Sequence, residues 1–246
     1  MTSAPPDIQA NLERVRGQIR AAAMAAGRRP ESIRLVAVSK YMPETYLRQA
    51  MQAGQHIFGE NTVQDAMTKL QLLQDPGNEW HFIGHLQTNK AKHIAGNFSW
   101  LHTLDSLKLA NRLERHCQTR QAELNVLVQV NISNDPDKHG LPVDRVFDFI
   151  EELLAAGHVG LALRGLMTIG QRAAATAERQ REFAALRELS EACATRFGRS
   201  RFLELSMGMS GDFELAIREG ASIVRVGGAI FGPRPPRHPD HDDTLP

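Results

Sequence analysis

The segment Ile33-Arg34-Leu35-Val36-Ala37-Val38-Ser39-Lys40 is an apolar run that stops at a lysine, just before Tyr41-Met42-Pro43. Its β-branched content, its length and the proline that follows predict a buried strand with Lys40 at its carboxyl end. An amine that is partly withdrawn from water loses its proton more readily and becomes a nucleophile able to form a Schiff base with an aldehyde. The alternative is an ordinary surface lysine just past a strand end.

Strand and helix patterns alternate on both sides of this segment. Apolar residues from Ile8 to Gly27 recur at helical spacing, so a helix precedes the first strand. Seven more strands are predicted, at residues 56–61, 79–84, 100–105, 125–132, 161–169, 202–206 and 223–231. Helices are predicted between the strands, at residues 44–53, 63–73, 89–95, 106–117, 143–154, 177–197 and 212–219.

Eight strands, each but the last followed by a helix, are the chain order of an α/β protein of the (β/α)8 TIM-type barrel class. The N-terminal helix would complete the outer ring. The alternative is an open doubly wound sheet, which usually has a Gly-rich turn after its first strand, whereas Ser39 to Pro43 stands here. We therefore predict one barrel over residues 8–232, flanked by flexible tails at residues 1–7 and 233–246 that have little to bury.

Composition narrows the classes of protein to consider. The chain has 246 residues, of which 42% are hydrophobic, and 29 Lys and Arg stand against 28 Asp and Glu. This near-neutral balance gives no sign of a nucleic-acid or membrane-surface partner. Cys117 and Cys193 show neither metal-ligand spacing nor a disulfide framework. With no signal segment and no apolar window long enough for a membrane span, we predict a soluble cytoplasmic protein that binds no metal.

An anion site is predicted where the seventh strand leads through glycines into a helix, from Ser206 to Glu214. Backbone amides at a helix start bind anions, and the Ser210 hydroxyl is close by. The alternative is that Ser210 only caps the helix. Gly227 and Gly228 follow the eighth strand, and phosphate sites in such barrels often combine the loops after strands seven and eight.

Strand alternation places Ile223, Arg225 and Gly227 on one face of the eighth strand. If this face points into the barrel, Arg225 is a buried cation that needs an acceptor, such as a ring nitrogen or a carboxylate. The alternative is an internal ion pair with Glu204 or Glu60.

These features together suit a phosphorylated aldehyde, and five motifs resemble those of the pyridoxal phosphate homeostasis proteins, also known as proline synthase co-transcribed proteins. The resemblance runs in order from about residue 8 to residue 232. The motifs are Ala37-Val38-Ser39-Lys40, Phe58-Gly59-Glu60-Asn61, Trp80-His81-Phe82-Ile83-Gly84 with Leu86-Gln87-Thr88-Asn89-Lys90, Leu205-Ser206-Met207-Gly208-Met209-Ser210 and Val224-Arg225-Val226-Gly227.

The resemblance implies a barrel like the N-terminal domain of alanine racemase, with pyridoxal 5'-phosphate (PLP) held as a Schiff base on Lys40. It also implies a set of residues around that cofactor. Asn61 would lie near it, Ser206 and Met209 would line its cup, Ser210 with the Gly227 and Gly228 amides would hold its phosphate, and Arg225 would face the pyridine nitrogen. One position departs from the family, because a Thr or Ser usually stands where this chain has Gly228.

The resemblance favours a carrier over an enzyme. A racemase of this fold adds a C-terminal β domain and uses a tyrosine of a second subunit, whereas this chain ends at residue 246 and has only Tyr41 and Tyr46. An arginine at the pyridine nitrogen also disfavours the protonated ring that makes the cofactor a strong electron sink. We expect a monomer without catalytic residues that takes part in intracellular PLP homeostasis, acts indirectly on amino acid and keto acid pools, and contacts PLP-dependent apoenzymes transiently.

Two enzymatic alternatives stay open. The first is a low-activity amino acid racemase, in which Lys40 acts on one face and His81 or Tyr41 on the other. The second is a Schiff-base aldolase for a sugar phosphate, which needs an acid-base partner near the lysine. Lys138, after the fifth strand, is a candidate second amine for accepting the aldehyde during transfer.

Overall fold

Eight parallel strands close into a barrel in the computed structural model, which describes residues 5–171 and 175–233. The strands follow chain order, and the last pairs with the first, with Val36 opposite Arg225. They are β1 Arg34–Val38, β2 Ile57–Glu60, β3 Glu79–Phe82, β4 Trp100–Leu104, β5 Leu124–Gln129, β6 Leu161–Met167, β7 Glu204–Ser206 and β8 Ile223–Val226. The closure confirms the predicted (β/α)8 barrel, and the open-sheet alternative is wrong.

Helices surround this barrel. They are α1 Ile8–Ala25, α2 Glu44–Gln52, α3 Val63–Leu72, α4 Leu107–Arg120, α5 Val146–Ala155, α6 Thr176–Phe197, α7 Phe213–Arg218 and α8 Gly228–Phe231. Short 3-10 helices lie at Pro30–Ser32, Thr88–His93, Val143–Arg145 and Arg199–Arg201. The Asp7 carboxylate accepts a hydrogen bond from the Ala10 amide and so caps α1. Helix α1 packs against α2, α7 and α8, and therefore completes the outer ring as predicted.

Two predicted elements differ in the structure. The helix predicted at 89–95 is the 3-10 helix Thr88–His93, in which the Lys90 amide bonds to the carbonyl of Gln87. The strand predicted at 223–231 ends at Val226, and the chain turns into α8. A Cβ atom at Gly227 would lie 3.0 Å from the Val38 carbonyl oxygen. This close approach needs glycine, and the Phe231 amide bonds back to the Gly227 carbonyl instead of extending the sheet.

The core has two parts. A large apolar cluster fills the space between barrel and helices and includes Val224 and Val226. A small cluster lies on the opposite face of the strands, inside the barrel, and includes Ile223 and Trp100. This arrangement confirms the predicted alternation of β8, which turns Ile223 and Arg225 away from the helices.

The remaining sequence predictions concern thiols, membrane spans and tails. Cys117 and Cys193 are both buried and free, as predicted. Within the described ranges, no helix has the length and apolar character that crossing a membrane requires. The flexible tails predicted at 1–7 and 233–246 lie outside the described residues, apart from residues 5–7 and 233.

Candidate functional site

A cavity of about 610 Å³ lies at the carboxyl ends of the barrel strands. Its wall is formed by residues from the ends of β1, β2, β3, β6, β7 and β8 and from the start of α8. They are Val38, Lys40, Met42, Asn61, Ile83, Ile169, Gly170, Met209, Ser210, Gly211, Arg225, Gly227, Gly228, Gly232 and Pro233. All the predicted site residues except Ser206 are therefore brought together around one cavity.

Lys40 occupies a tight turn directly after β1. The Met42 amide donates to the Ser39 carbonyl at 2.9 Å, and Tyr41 has a left-handed backbone with φ of 62°. Lys40 is half-buried and lines the cavity, so its placement at the end of the first strand is as predicted. The reactivity of its amine stays a prediction.

Four side chains, which we call the lysine clamp, hold this turn: Ser39, Glu60, Asp65 and Lys69. The Lys69 ammonium donates to the Ser39 carbonyl at 2.6 Å and contacts Glu60 Oε1 and Asp65 Oδ2, each at 2.8 Å. Ser39 Oγ donates to Glu60 Oε1 at 2.6 Å, and the Tyr41 amide donates to Asp65 Oδ2 at 2.8 Å. Both chain neighbours of Lys40 are thus fixed by ionic hydrogen bonds.

Three members of the lysine clamp, Ser39, Glu60 and Lys69, are buried, and the Asp65 side chain is 22% exposed. The Lys69 side chain is 5% exposed and that of Glu60 is 0% exposed. Burial raises the pKa of the Glu60 carboxyl to about 7, against the opposing effect of the Lys69 charge. Sequence reasoning missed this cluster. Its only local signal is the i,i+4 spacing of Asp65 and Lys69, which resembles any surface helix pair.

The loops after β7 and β8 meet at Ser210. Its hydroxyl oxygen accepts hydrogen bonds from the Gly227 and Ala229 amides, each at 3.3 Å. The loops after β7 and β8 are therefore joined by hydrogen bonds, as predicted. Helix α7 has Asp212 at its N-cap position, so the alternative that Ser210 merely caps this helix is wrong. A Cβ atom at Gly228 would meet nothing closer than Ser210 Oγ at 4.0 Å.

Arg225 reaches the cavity from inside the barrel. Its guanidinium donates to Ser206 Oγ at 2.6 Å and to the Thr168 carbonyl at 2.8 Å. The residue is only 4% exposed, and burial lowers the pKa of its guanidinium to about 10, which leaves it charged at neutral pH.

The internal ion pair considered for Arg225 is wrong. Glu60 pairs with Lys69, and Glu204 Oε2 accepts a hydrogen bond from Ser222 Oγ at 2.5 Å. Over residues 5–171 and 175–233, no carboxylate oxygen lies within 4.0 Å of the Arg225 guanidinium. The cation is thus held by neutral oxygens.

Ser206 lies beneath the cavity instead of lining it, which corrects the prediction for this residue. It is fully buried, and its hydroxyl lies 2.8 Å from His102 Nδ1 as well as accepting from Arg225. Ser206 is therefore linked to the cavity only indirectly, through its hydrogen bond with Arg225. Sequence reasoning missed His102, since no motif marks it.

Asn61 supplies an unused polar atom on the cavity wall. Its Oδ1 atom is buried and has no hydrogen-bond partner among the described residues. The backbone of Asn61 is fixed by the end of β3, because a Cβ atom at Gly84 would lie 1.9 Å from the Asn61 carbonyl oxygen. A buried polar atom without a partner is costly, so this atom suits a ligand that offers a hydrogen bond.

Lys138 lies at the rim. Its ammonium is 3.2 Å from Ser133 Oγ and 3.8 Å from Asp135 Oδ2, and it donates to the carbonyl of Ile169, which lines the cavity. Its role as a second amine stays a prediction. Within the described ranges, the only ionisable side chains on the cavity wall are those of Lys40 and Arg225.

Comparison with known proteins gives one family. Residues 8–235 match the family model of the alanine racemase N-terminal domain. The chain is 43% identical over 234 residues to the pyridoxal phosphate homeostasis protein of Escherichia coli, a match that covers 93% of this chain and 97% of that one.

Solved structures agree with this result. PipY of Synechococcus elongatus, solved with PLP bound, superposes with a TM-score of 0.82 at 36% identity, over 92% of this chain and 100% of that one. Alanine racemase of Corynebacterium glutamicum shares the fold, with a TM-score of 0.66 at 19% identity over 90% of this chain and 61% of that one. The chain therefore belongs to the family of pyridoxal phosphate homeostasis proteins, which share the N-terminal domain fold of alanine racemase.

Proposed function

We propose that this protein binds PLP as a Schiff base on Lys40 and acts as a carrier in intracellular PLP homeostasis, with indirect effects on amino acid and keto acid pools. One observation carries the proposal. A single cavity is lined by an amine at Lys40, a hydroxyl and amide cup at Ser210 and Gly227, and a cation at Arg225. These groups match the aldehyde, the phosphate and the ring nitrogen of PLP, and the PLP-bound relative supports the match.

Each residue has a distinct task in this proposal. Lys40 would hold the cofactor through its nitrogen, bonded to the aldehyde carbon in place of the aldehyde oxygen, which would be lost as water. Ser210 with the Gly227 and Gly228 amides binds the phosphate, Met209 packs beside it, and Asn61 offers its unused oxygen. The bound cofactor would supply an electron sink whose strength depends on the protonation of its ring nitrogen.

Arg225 would bind the ring nitrogen as a donor. Because the guanidinium stays charged at neutral pH, it donates a proton only within a hydrogen bond and does not hand one over to the ring. Arg225 would thereby leave the ring nitrogen without a proton of its own, and a weaker electron sink would result. This favours storage and release of the cofactor over chemistry on a bound amino acid.

The composition of the cavity wall further supports a carrier. A two-base racemase needs a second acid-base group opposite the lysine. His81 is fully buried between Glu79 and His102, and neither it nor Tyr41 is among the residues that line the cavity. The aldolase alternative also needs an acid-base group next to Lys40, and neither His81 nor Tyr41 lines the cavity to serve as one. We also propose that the protein works as a cytoplasmic monomer and contacts PLP-dependent apoenzymes transiently.

An absorbance titration with PLP tests the attachment. We expect a Schiff-base band at about 420 nm in the wild type and its loss in Lys40→Met, because only an amine forms the bond. Lys138→Met is the matched control, since this lysine lies at the rim of the same cavity. A band of unchanged intensity in Lys40→Met would show that another lysine carries the cofactor.

Incubation of the loaded protein with L-alanine separates carrier from racemase. We expect chirality to be lost no faster than with the same concentration of free PLP. Sustained racemisation within the usual enzymatic range, about 1–10³ per second, would contradict the carrier function.

A further inference from the structure

Five hydrogen-bonded side chains cross the inside of the barrel and end at Arg225. We call this series the arginine chain; it consists of Glu79, His81, His102, Ser206 and Arg225. We propose that its hydrogen bonds all point one way and hold Arg225 as a charged donor at the cavity, with the Glu79 carboxylate as a remote counterion. His81, His102 and Ser206 would then be positioning residues. The link to PLP rests on the function proposed above.

The contacts between successive members are short. Glu79 Oε1 lies 2.7 Å from His81 Nε2, and His81 Nδ1 lies 2.7 Å from His102 Nε2. His102 Nδ1 lies 2.8 Å from Ser206 Oγ, which accepts from Arg225 at 2.6 Å. Glu79 is the first residue of β3, so the series begins at the amino end of the barrel and finishes at the carboxyl end.

The two ends of the arginine chain, together with neutral imidazoles at His81 and His102, fix the direction of every bond. Arginine can only donate and an ionised carboxylate can only accept. His81 must therefore donate from Nε2 to Glu79, which leaves its Nδ1 as an acceptor for the Nε2 proton of His102. The Nδ1 atom of His102 then accepts the Ser206 proton, and Ser206 Oγ accepts from Arg225. With both imidazoles neutral, this assignment satisfies all four contacts.

Burial keeps the two histidines neutral. His81, His102 and Ser206 are each 0% exposed. Desolvation lowers the pKa of both imidazoles, well below the ordinary value for His102, and for His81 it outweighs the attraction of Glu79. If either imidazole were protonated, His102 Nδ1 would donate to Ser206 Oγ, and the bonds would no longer all point one way.

Other charges surround the arginine chain without replacing any link. Arg34 lies 3.9 Å from Glu79 and over the ring of Trp100, at the amino end. Glu204 and Asp212 act on His81 and Arg225 respectively through their charges. Among residues 5–171 and 175–233, the arginine chain is therefore the one series of hydrogen bonds that joins a carboxylate to Arg225.

A remote counterion has a consequence for ligand binding. A carboxylate in direct contact with Arg225 would cancel most of its field and compete for its donors. A counterion at the opposite end of the barrel leaves the positive field directed at the cavity. Such a site favours an anionic ligand with a hydrogen-bond acceptor near Arg225, as PLP offers.

Nitrogen-15 NMR of histidine-labelled protein without cofactor tests the direction of the bonds. We expect His81 and His102 to be neutral at pH 7, both with the proton on Nε2. The exposed His56, whose Nδ1 contacts Asn78, is the control that should exchange freely with solvent. A proton on Nδ1 of His102, or a charged imidazole at either position, would overturn the proposal.

Two variants of His102 test the link to the cavity. Glutamine can donate from its amide nitrogen and accept at its oxygen, whereas leucine can do neither. We expect PLP to bind about tenfold more weakly to His102→Leu, a loss equal to one charge-assisted hydrogen bond, and within about threefold of wild type to His102→Gln. Equal affinities in both variants and the wild type would contradict a positioning role.

The two experiments also separate this inference from the proposed function. A wild type with the expected tautomers that does not bind PLP would overturn the function and support the direction of the arginine chain. A wild type that binds PLP on Lys40 but has other tautomers at His81 and His102 would support the function and overturn the direction of the arginine chain.

Discussion

The lysine clamp and the arginine chain both support one cation at the cavity, but they do so in opposite ways. In the lysine clamp, Lys69 directly contacts two carboxylates within 30 residues of Ser39. In the arginine chain, Arg225 donates to two neutral oxygens, those of Ser206 and Thr168, and the carboxylate of the chain lies four links and 146 residues away. One network consists of charges in contact, the other of neutral donors and acceptors between two charges.

This difference explains which cation remains available to a ligand. The carboxylates of the lysine clamp neutralise Lys69 and thereby hold the turn, while Lys40 itself lies on the cavity wall. Arg225 is fixed without a contacting carboxylate from the part of the chain that the structure describes, and it lies on the cavity wall. The fold thus uses direct ion pairs where it needs rigidity and a relayed one where it needs a cation for binding.

The largest expected effect comes from breaking the lysine clamp. Above about pH 7, where Glu60 is ionised in the folded protein, Lys69→Met leaves this carboxylate buried without its cation, and we expect the free energy of unfolding in urea to fall by about 3–5 kcal/mol. Glu60→Gln combined with Lys69→Met should recover part of this loss, because the uncompensated charge is gone.

The matched change in the arginine chain is Ser206→Ala, which removes one neutral hydroxyl. We expect a smaller loss of about 1–3 kcal/mol, the cost of leaving buried polar partners unpaired. A loss in Ser206→Ala as large as that in Lys69→Met would show that the two networks do not differ as described.

Stability should depend on pH with opposite sign in the two networks. Burial raises the pKa of Glu60 from 4.5 to about 7, so the folded protein keeps a proton that the unfolded chain has lost. The contribution of Glu60 is therefore fully present below pH 4.5 and is lost as pH rises toward about 7. Burial lowers the pKa of His81 and His102 below 6.5, so their contribution is present above pH 6.5 and lost on acidification.

Thermal unfolding measured as a function of pH tests these opposite pH dependences of stability. The stability of wild type relative to Glu60→Gln should decrease as pH rises from 4.5 to about 7. Relative to His102→Gln it should increase as pH rises toward 6.5. Difference curves of the same sign would contradict the assigned protonation states.

The smallest expected effect lies at Gly228, outside both networks. Gly228→Ser adds a hydroxyl in open space beside Ser210, where a Cβ atom meets nothing closer than 4.0 Å. We expect PLP to bind about threefold to tenfold tighter, from one added hydrogen bond to the phosphate. Gly228→Ala is the control and should leave the affinity near that of the wild type. A gain in both variants would show that the hydroxyl is not responsible.

Local sequence patterns predicted the features that depend on strand order and strand ends. The eight strands, Lys40 after β1 and the meeting of the loops at Ser210 and Gly227 follow from periodicity and from the rule that strand ends share one face. The end of β8 was missed, because the apolar run from Ile223 to Phe231 does not show where the sheet contact stops.

Partners inside the barrel were not predictable in the same way. They depend on the stagger between strands, which decides which inward-facing side chains lie at the same height in the barrel. His81 of β3 lies opposite Trp100 of β4, which is two residues before His102. The family resemblance placed Ser206 on the cavity wall, whereas in the structure it is fully buried and is not among the lining residues. The Ser39 contact of Lys69 likewise depends on how α3 packs and not on spacing in the sequence.

The attachment site is the central claim, and its most direct test is to trap it. The protein loaded with PLP is reduced with borohydride, digested, and the modified peptide is identified by mass spectrometry. We expect one phosphopyridoxyl group, on Lys40, with the clamped Lys69 and the rim residue Lys138 unmodified. A label on Lys69 or Lys138 in place of Lys40, or no label on a protein that absorbs at about 420 nm, would contradict the account.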